Sequence, residues 1–283
     1  MTKTTNISAA GVNMERKEVE FDLNGLIPNN DLRLLGVRYP SDKVQHGYLG
    51  IYHNFFISRR LEPLNFVELG VYAGGSMMMW RDFFCAANIL GVDIRFDSRM
   101  ISFFENTRHK IHFLQCDSAS PHLPPYVNNH FRLSGREGID ILIDDASHLQ
   151  YDMMTSLANF YPSMNSGGIY VIEDMCSATD LETGSKWWGS ADESSDEDFS
   201  ENPGMDQTKD FNKQWLPNGK KDTYYCAETT MERFKNTGVF DSAFCTPEQN
   251  KYISENTAEV HFFKAGEGDL ATCGSSVAVL IKK

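Results

Sequence analysis

The sequence contains no run approaching the roughly 18 consecutive apolar residues of a membrane-spanning helix. None of its six cysteines (Cys85, Cys116, Cys176, Cys226, Cys245 and Cys273) stands at a CxxC spacing, so neither a zinc knuckle nor a redox dithiol is suggested. Several of them lie in apolar segments, where a free cysteine behaves as a small hydrophobe. No cluster of lysine and arginine occurs, and the net charge is −13, which argues against a nucleic-acid partner. The opening residues MTKTTNISAAGVNMERKEVEFD lack the apolar core of a secretory signal. The expectation is a cytoplasmic protein with neither membrane nor nucleic acid as partner.

What is present is an alternation of strand and helix signals. Short apolar runs end at a glycine or a carboxylate over Asn65–Val71, Asn88–Asp93, His112–Asp117, Ile139–Asp144 and Ile169–Glu173. Between them lie helical stretches, one from Gly74-Gly75 to about Ala87 with Ser76 as N-cap, another from Gln150 to Tyr161. The segment 38–56 reads as polar, then as an amphipathic helix carrying Tyr48, Ile51, Tyr52, Phe55 and Phe56. This β-α-β rhythm implies an α/β, Rossmann-like domain with a mostly parallel sheet. Two further runs, Ala258–Phe263 and Ser275–Ile281, predict a C-terminal antiparallel strand pair. Residues 1–37 are read as an N-terminal arm and 38–283 as one domain. An insertion at about 176–222 breaks the rhythm with Trp187, Trp188 and an acidic run, Asp192–Asp198. So long an irregular stretch is read either as a substrate lid or as a solvated loop.

In doubly wound sheets ligands bind beyond the carboxyl ends of the strands, where these glycines and acids fall. The loop ELGVYAGGS (Glu68 to Ser76) departs from the dinucleotide GxGxxG spacing, which speaks against a nicotinamide dehydrogenase. Its glycines Gly70 and Gly74 let the backbone approach a ligand. The carboxylate of Glu68 suits an amine-bearing ligand better than a pyrophosphate. Asp93 can accept ribose hydroxyls, and Asp117 either contacts an adenine or caps its own turn. Asp145, Glu173 and Asp174 lie at the ends of two strands. If those strands are neighbours, three carboxylates converge and require a cation, and oxygen ligands favour Mg²⁺. His148, three residues past Asp145, is suited to take a proton from an alcohol.

As an ordered set, several motifs resemble the macrocin/mycinamicin-type sugar O-methyltransferase family. They are SDKVQHGY (Ser41 to Tyr48), ELGVYAGGSMMMW (Glu68 to Trp80), GVDI (Gly91 to Ile94), IDDASH (Ile143 to His148) and GGIYVIEDM (Gly167 to Met175). The family is related to cephalosporin-hydroxylase-like proteins. The match departs at Ala146, where glycine is expected, and over the acidic segment 182–201. The resemblance implies a class I methyltransferase fold and S-adenosylmethionine bound by Glu68, Gly70, Tyr72, Gly74, Ser76, Asp93, Asp117 and Asp144. It implies Mg²⁺ on Asp145, Glu173 and Asp174, with Asp145 and His148 catalytic. The implied reaction is transfer to a hydroxyl of a sugar, often on a secondary metabolite, by a homo-oligomer whose arm contacts a neighbour. A catechol-like acceptor and a non-catalytic binding protein on the same fold are the alternatives.

Overall fold

The computed structural model describes residues 32–39, 41–96, 100, 104, 111–175, 227–264 and 276–283, and the backbone of 5–9 and 12–16. Strands β1 (Thr5–Ala9) and β2 (Val12–Arg16) pair antiparallel as a two-stranded sheet. The main sheet is formed by β3 (Asn65–Leu69), β4 (Asn88–Asp93), β5 (Ile111–Gln115), β6 (Ile139–Asp144), β7 (Met164–Ile172), β8 (Thr257–Phe263) and β9 (Val277–Lys282). Its order is β5-β4-β3-β6-β7-β9-β8. The first five strands in that order run parallel, and β9 pairs antiparallel with both β7 and β8. The fold is therefore Rossmann-like, with the C-terminal antiparallel pair that the sequence predicts.

The central strands are mostly apolar because both faces of the sheet are covered there. Every residue of β3 and of β6 is buried. Alternate side chains go to opposite faces. Phe66, Ile141, Ile143, Ile169, Val171, Val277 and Val279 pack on one side with Tyr48, Tyr52, Phe56, Trp80 and Phe83. Val67, Leu69, Leu142, Tyr170, Ile172 and Leu280 pack on the other with Val127, Met153, Leu157 and Met231.

The first face is covered by α1 (Leu32–Arg38), the short α2 (Lys43–His46), α3 (Tyr48–Phe56) and α4 (Gly75–Phe83). The amphipathic helix predicted within 38–56 is α3, which carries Tyr48, Ile51, Tyr52, Phe55 and Phe56, and Gly47, at φ +82°, closes α2 ahead of it. Leu32 has no exposed surface, so the packed body reaches back into the segment assigned to the arm. On the second face lie α5 (Leu123–Leu133), α6 (Gln150–Phe160), α7 (Ala227–Thr237) and α8 (Pro247–Asn256). Among the described residues no helix is long and apolar enough to cross a membrane. The insertion at 176–222, with Trp187 and Trp188, lies outside the described residues, as do Cys176, Cys226 and Cys273.

Candidate active site

The strand ladder carries on past each tip and sets the acidic residues side by side. Asp145 N–H donates to Leu69 O at 2.9 Å, and Glu173 N–H donates to Asp144 O at 3.0 Å. β6 and β7 are neighbours, as the sequence argument required. Gly70 stands with φ +86° against the Asp145 main chain. A Cβ there would lie 1.9 Å from the Asp145 carbonyl oxygen, so only glycine lets the two loops touch.

Helix α3 reaches these tips from above. Tyr48 and Tyr52 are one turn apart and share a face. Tyr48 donates to Asp174 Oδ1 at 2.6 Å, and Tyr52 donates to Glu173 Oε1 at 2.6 Å. Asp174 takes the left-handed backbone (φ +53°), which swings its carboxylate out of the strand's alternation toward Asp145. Asp145, His148 and Asp174 each present one potential ligand atom, and these atoms all lie within 4.8 Å of one another. His148 Nε2 is 3.8 Å from Asp145 Oδ1 and 3.9 Å from Asp174 Oδ2.

Glu173 lies beside this group, at the tip of β7. Its buried carboxylate is held by Tyr52 and by the ammonium of Lys43 at 3.0 Å. The group whose ligand atoms lie within 4.8 Å of one another holds Asp145, His148 and Asp174. Lys43, which the residue-level reading did not single out, also contacts Asp145 and lies 3.4 Å from Glu68. It is the hub of the cluster, 1% exposed among three acids. Its clue in the sequence is the SDKVQHGY segment, where a lysine begins a helix of four residues that carries His46 at its end.

Ionisation in the cluster follows from burial. Removal from water would lower Lys43, but Asp145, Glu173 and Glu68 reverse that and hold its ammonium well above the ordinary lysine range. Burial pushes Glu173 far up, helped by the charge of Asp145, and also raises Asp145 and Glu68 despite Lys43. Asp174 goes the other way. Burial opposes its charge, but His46, His148 and the Tyr48 hydroxyl outweigh it and keep the carboxyl below the usual range. The site therefore carries more carboxylate than its resident cation neutralises.

The glycine loop leaves the tip of β3, next to this cluster. Asp93 Oδ2 accepts the N–H groups of Val71 and Tyr72 at 2.7 and 3.0 Å, while Oδ1 accepts Arg95 N–H at 3.1 Å. This clamp holds Tyr72 in the left-handed region (φ +47°) with its ring 86% exposed. Gly74, not Ser76, is the N-cap of α4, at φ +80°. Ser76 sits inside the helix and donates to Glu68 Oε2 at 2.7 Å, and Trp80 Nε1 donates to Oε1 at 3.1 Å. The buried Glu68 carboxylate is thus tied to α4 and to Lys43. Asp144 points to the opposite face, 3.3 Å from the Tyr170 hydroxyl, and burial pushes its carboxyl up to about 8. Asp117 is exposed and caps its own turn through Ala119 N–H at 2.9 Å. The structure thus gathers Gly70, Tyr72, Gly74 and Asp93 into one loop and Asp145, His148 and Asp174 into one cluster. Glu68 and Ser76 lie beneath them, Asp144 points to the opposite face, and Asp117 caps its own turn.

Comparison with known proteins gives three findings. The family model described as Rhamnosyl O-methyltransferase/CmcI matches residues 51–224. The 8-demethyl-8-alpha-L-rhamnosyl tetracenomycin-C 2'-O-methyltransferase of Streptomyces olivaceus is 31% identical over 149 residues, covering 50% of this chain and 36% of that protein. The mycinamicin VI 2''-O-methyltransferase of Micromonospora griseorubida is 32% identical over 162 residues, covering 52% and 37%. The matches thus cover little more than a third of these relatives' length. Among solved structures, the MycE methyltransferase of the mycinamycin biosynthetic pathway, in complex with Mg and SAH, superposes with a TM-score of 0.55 at 25% identity. That superposition covers 89% of this chain and 54% of MycE.

Proposed function

The chain belongs to the rhamnosyl O-methyltransferase/CmcI family, and on that premise we propose that it transfers a methyl group from S-adenosylmethionine to a hydroxyl of a sugar carried by a secondary metabolite, assisted by Mg²⁺. The observation that carries this reading is the cluster of Asp145, His148 and Asp174, with ligand atoms within 4.8 Å, beside the glycine loop whose Gly70 meets the Asp145 main chain.

The residues fit a hard divalent ion. Two carboxylates converge in a field that Lys43 does not neutralise, and oxygen donors suit magnesium better than an imidazole does. Asp145 and Asp174 would hold the ion, with Glu173 behind them on Lys43. When bound, magnesium lowers the pKa of a coordinated acceptor hydroxyl and orients it. S-adenosylmethionine, held over Gly70, Tyr72 and Gly74, supplies a methyl group activated by its sulfonium charge.

The chain's own residues do the rest. Asp93 fixes the loop before the cofactor arrives, and its Oδ1 retains a lone pair for a ribose hydroxyl. His148 accepts the acceptor proton at Nε2, where Asp145 and Asp174, 3.8 and 3.9 Å away, stabilise the resulting charge. Tyr48 and His46 keep Asp174 ionised through the proton transfer. The reading includes the insertion at 176–222 as the acceptor lid. It also takes the N-terminal arm as a contact to a second copy and the cytoplasm as the compartment.

The test is an assay of the purified chain with S-adenosylmethionine, Mg²⁺ and methyl α-L-rhamnoside or a rhamnosylated polyketide. The expected result is S-adenosylhomocysteine and a product one methylene heavier. Turnover of catechol with no turnover of any rhamnoside would overturn the sugar assignment, and no turnover of either would overturn the enzymatic one.

A further inference from the structure

Between the strand tip at Asp145 and the start of α6 the chain makes a four-residue bend, and His148 is the residue in it with a left-handed backbone, at φ +57°. For a residue with a side chain that conformation costs on the order of 1–2 kcal/mol, so it persists only where its surroundings fix it. The near end is fixed by the sheet, through Asp145 N–H on Leu69 O and the close approach of Gly70. The far end is joined to α6 by Met153 N–H on Leu149 O at 2.9 Å and by the Ser147 hydroxyl. Ser147 Oγ donates to Asp152 Oδ2 at 2.7 Å and accepts Leu149 N–H at 3.3 Å. It therefore ties the residues on either side of His148 to the first turn of α6. Asp152 is buried there, at a helix end that favours a negative side chain.

We propose that Ser147 and Asp152 are positioning residues, a clamp that holds His148 in its left-handed conformation with Nε2 facing Asp145 and Asp174. The inference rests on the proposed function only in making His148 the proton acceptor. The geometric part stands without it. Neither Ser147 nor Asp152 touches a reacting atom. Both act through the backbone they tether.

Two substitutions of equal shape separate hydroxyl from bulk. Ser147→Thr keeps the donor and acceptor, whereas Ser147→Val fills the same volume with neither. Asp152→Ala removes the other half of the clamp. Crystal structures of the three variants read the geometry. His148 keeps its φ and its approach to Asp145 and Asp174 in Ser147→Thr, and loses them in Ser147→Val and Asp152→Ala. Kinetics read the consequence. With methyl α-L-rhamnoside as acceptor, Ser147→Val loses about 10- to 100-fold in kcat at unchanged KM, the scale of a misplaced catalytic group. Ser147→Thr restores the rate. An unmoved His148 in Ser147→Val overturns the clamp, as does a kcat loss that threonine fails to rescue. A His148→Asn control separates the two claims. Wild-type turnover by that variant overturns the proton-acceptor reading, and the clamp is then decided by the crystal geometry alone.

Discussion

The ammonium of Lys43 lies 3.0 Å from the carboxylate of Glu173, and each side chain is 1% exposed. Between them they join the first helical layer to the tip of β7. Asp145 and Glu68 close on the same ammonium. A buried ion pair of this kind adds little over a well-packed apolar pair, but losing one partner is costly because the other is left charged and dry.

Lys43→Met is therefore expected to destabilise the protein by about 3–5 kcal/mol, the range for a buried pair broken on one side. Urea unfolding at neutral pH measures it. A loss under about 1 kcal/mol, the scale of an exposed pair, would mean that Lys43 is not the hub of the cluster.

Gly70→Ala tests the contact between the glycine loop and the acidic loop. The new Cβ would meet the Asp145 carbonyl at 1.9 Å, and the backbone sits at φ +86°. Backbone strain alone costs more than about 1 kcal/mol, and the clash adds to it by pushing Asp145 away from Asp174. Thermal unfolding should fall, and calorimetry should find weaker binding of both Mg²⁺ and S-adenosylhomocysteine. An alanine variant with wild-type affinity for both would separate the two halves of the site.

Asp140 carries the acid dependence at the opposite end of the sheet. Burial opposes its charge, but Arg136 at 2.9 Å, Asn65 N–H at 2.8 Å and Asn165 at 2.9 Å outweigh that and hold its carboxyl below the ordinary value. A depressed native pKa gives stability that is present above the unfolded value of about 3.9 and lost as pH falls through the native one. Asp140→Asn should cost about 1.5–3 kcal/mol at pH 7, the worth of a charged hydrogen-bond partner. The gap between variant and wild type should close below about pH 4. Denaturant titrations from neutral pH downward measure it. A gap that stays constant across that range contradicts the assignment.

The sheet was legible because strands buried on both faces read as short apolar runs ending at a carboxylate, as in Ile141-Leu142-Ile143-Asp144 of β6. Other features were hidden by conflicting signals. The sequence starts the fifth strand at Ile169, yet β7 begins at Met164 and runs through Gly167 and Gly168, beside a register shift against Ile139. The signal for α8 was present as Thr246-Pro247 with Gln249, and the structure makes the full capping box there. Positions of the acids along the strands were readable, but the directions of their side chains were not. An extended chain sends Glu173 and Asp174 to opposite sides, and whether Asp174 turns back depends on a left-handed φ held by Tyr48 from another element. Lys43 was passed over because a lysine in a polar segment ordinarily faces water. Only the fold brings it under three carboxylates.

On the proposed function Asp174 binds the metal and His148 takes the proton, and substitution by asparagine is the clean way to separate the two roles. Both residues sit at positive φ, 53° and 57°, where alanine would add backbone strain. Asparagine tolerates that region, so the backbone is kept while the function is removed. Asp174→Asn deletes the carboxylate that His46, His148 and Tyr48 keep ionised. It should weaken Mg²⁺ binding in calorimetry by at least tenfold, because a neutral amide replaces one of two charged ligands. His148→Asn should leave Mg²⁺ affinity near wild type and remove about 10²- to 10⁴-fold of kcat, the usual worth of a general base. Chelation by EDTA should silence the wild type, and added Mg²⁺ should restore it. The discriminating result is the metal affinity of His148→Asn. If it drops as far as that of Asp174→Asn, the imidazole is a ligand rather than a base, and the proton must leave through Asp145 or solvent.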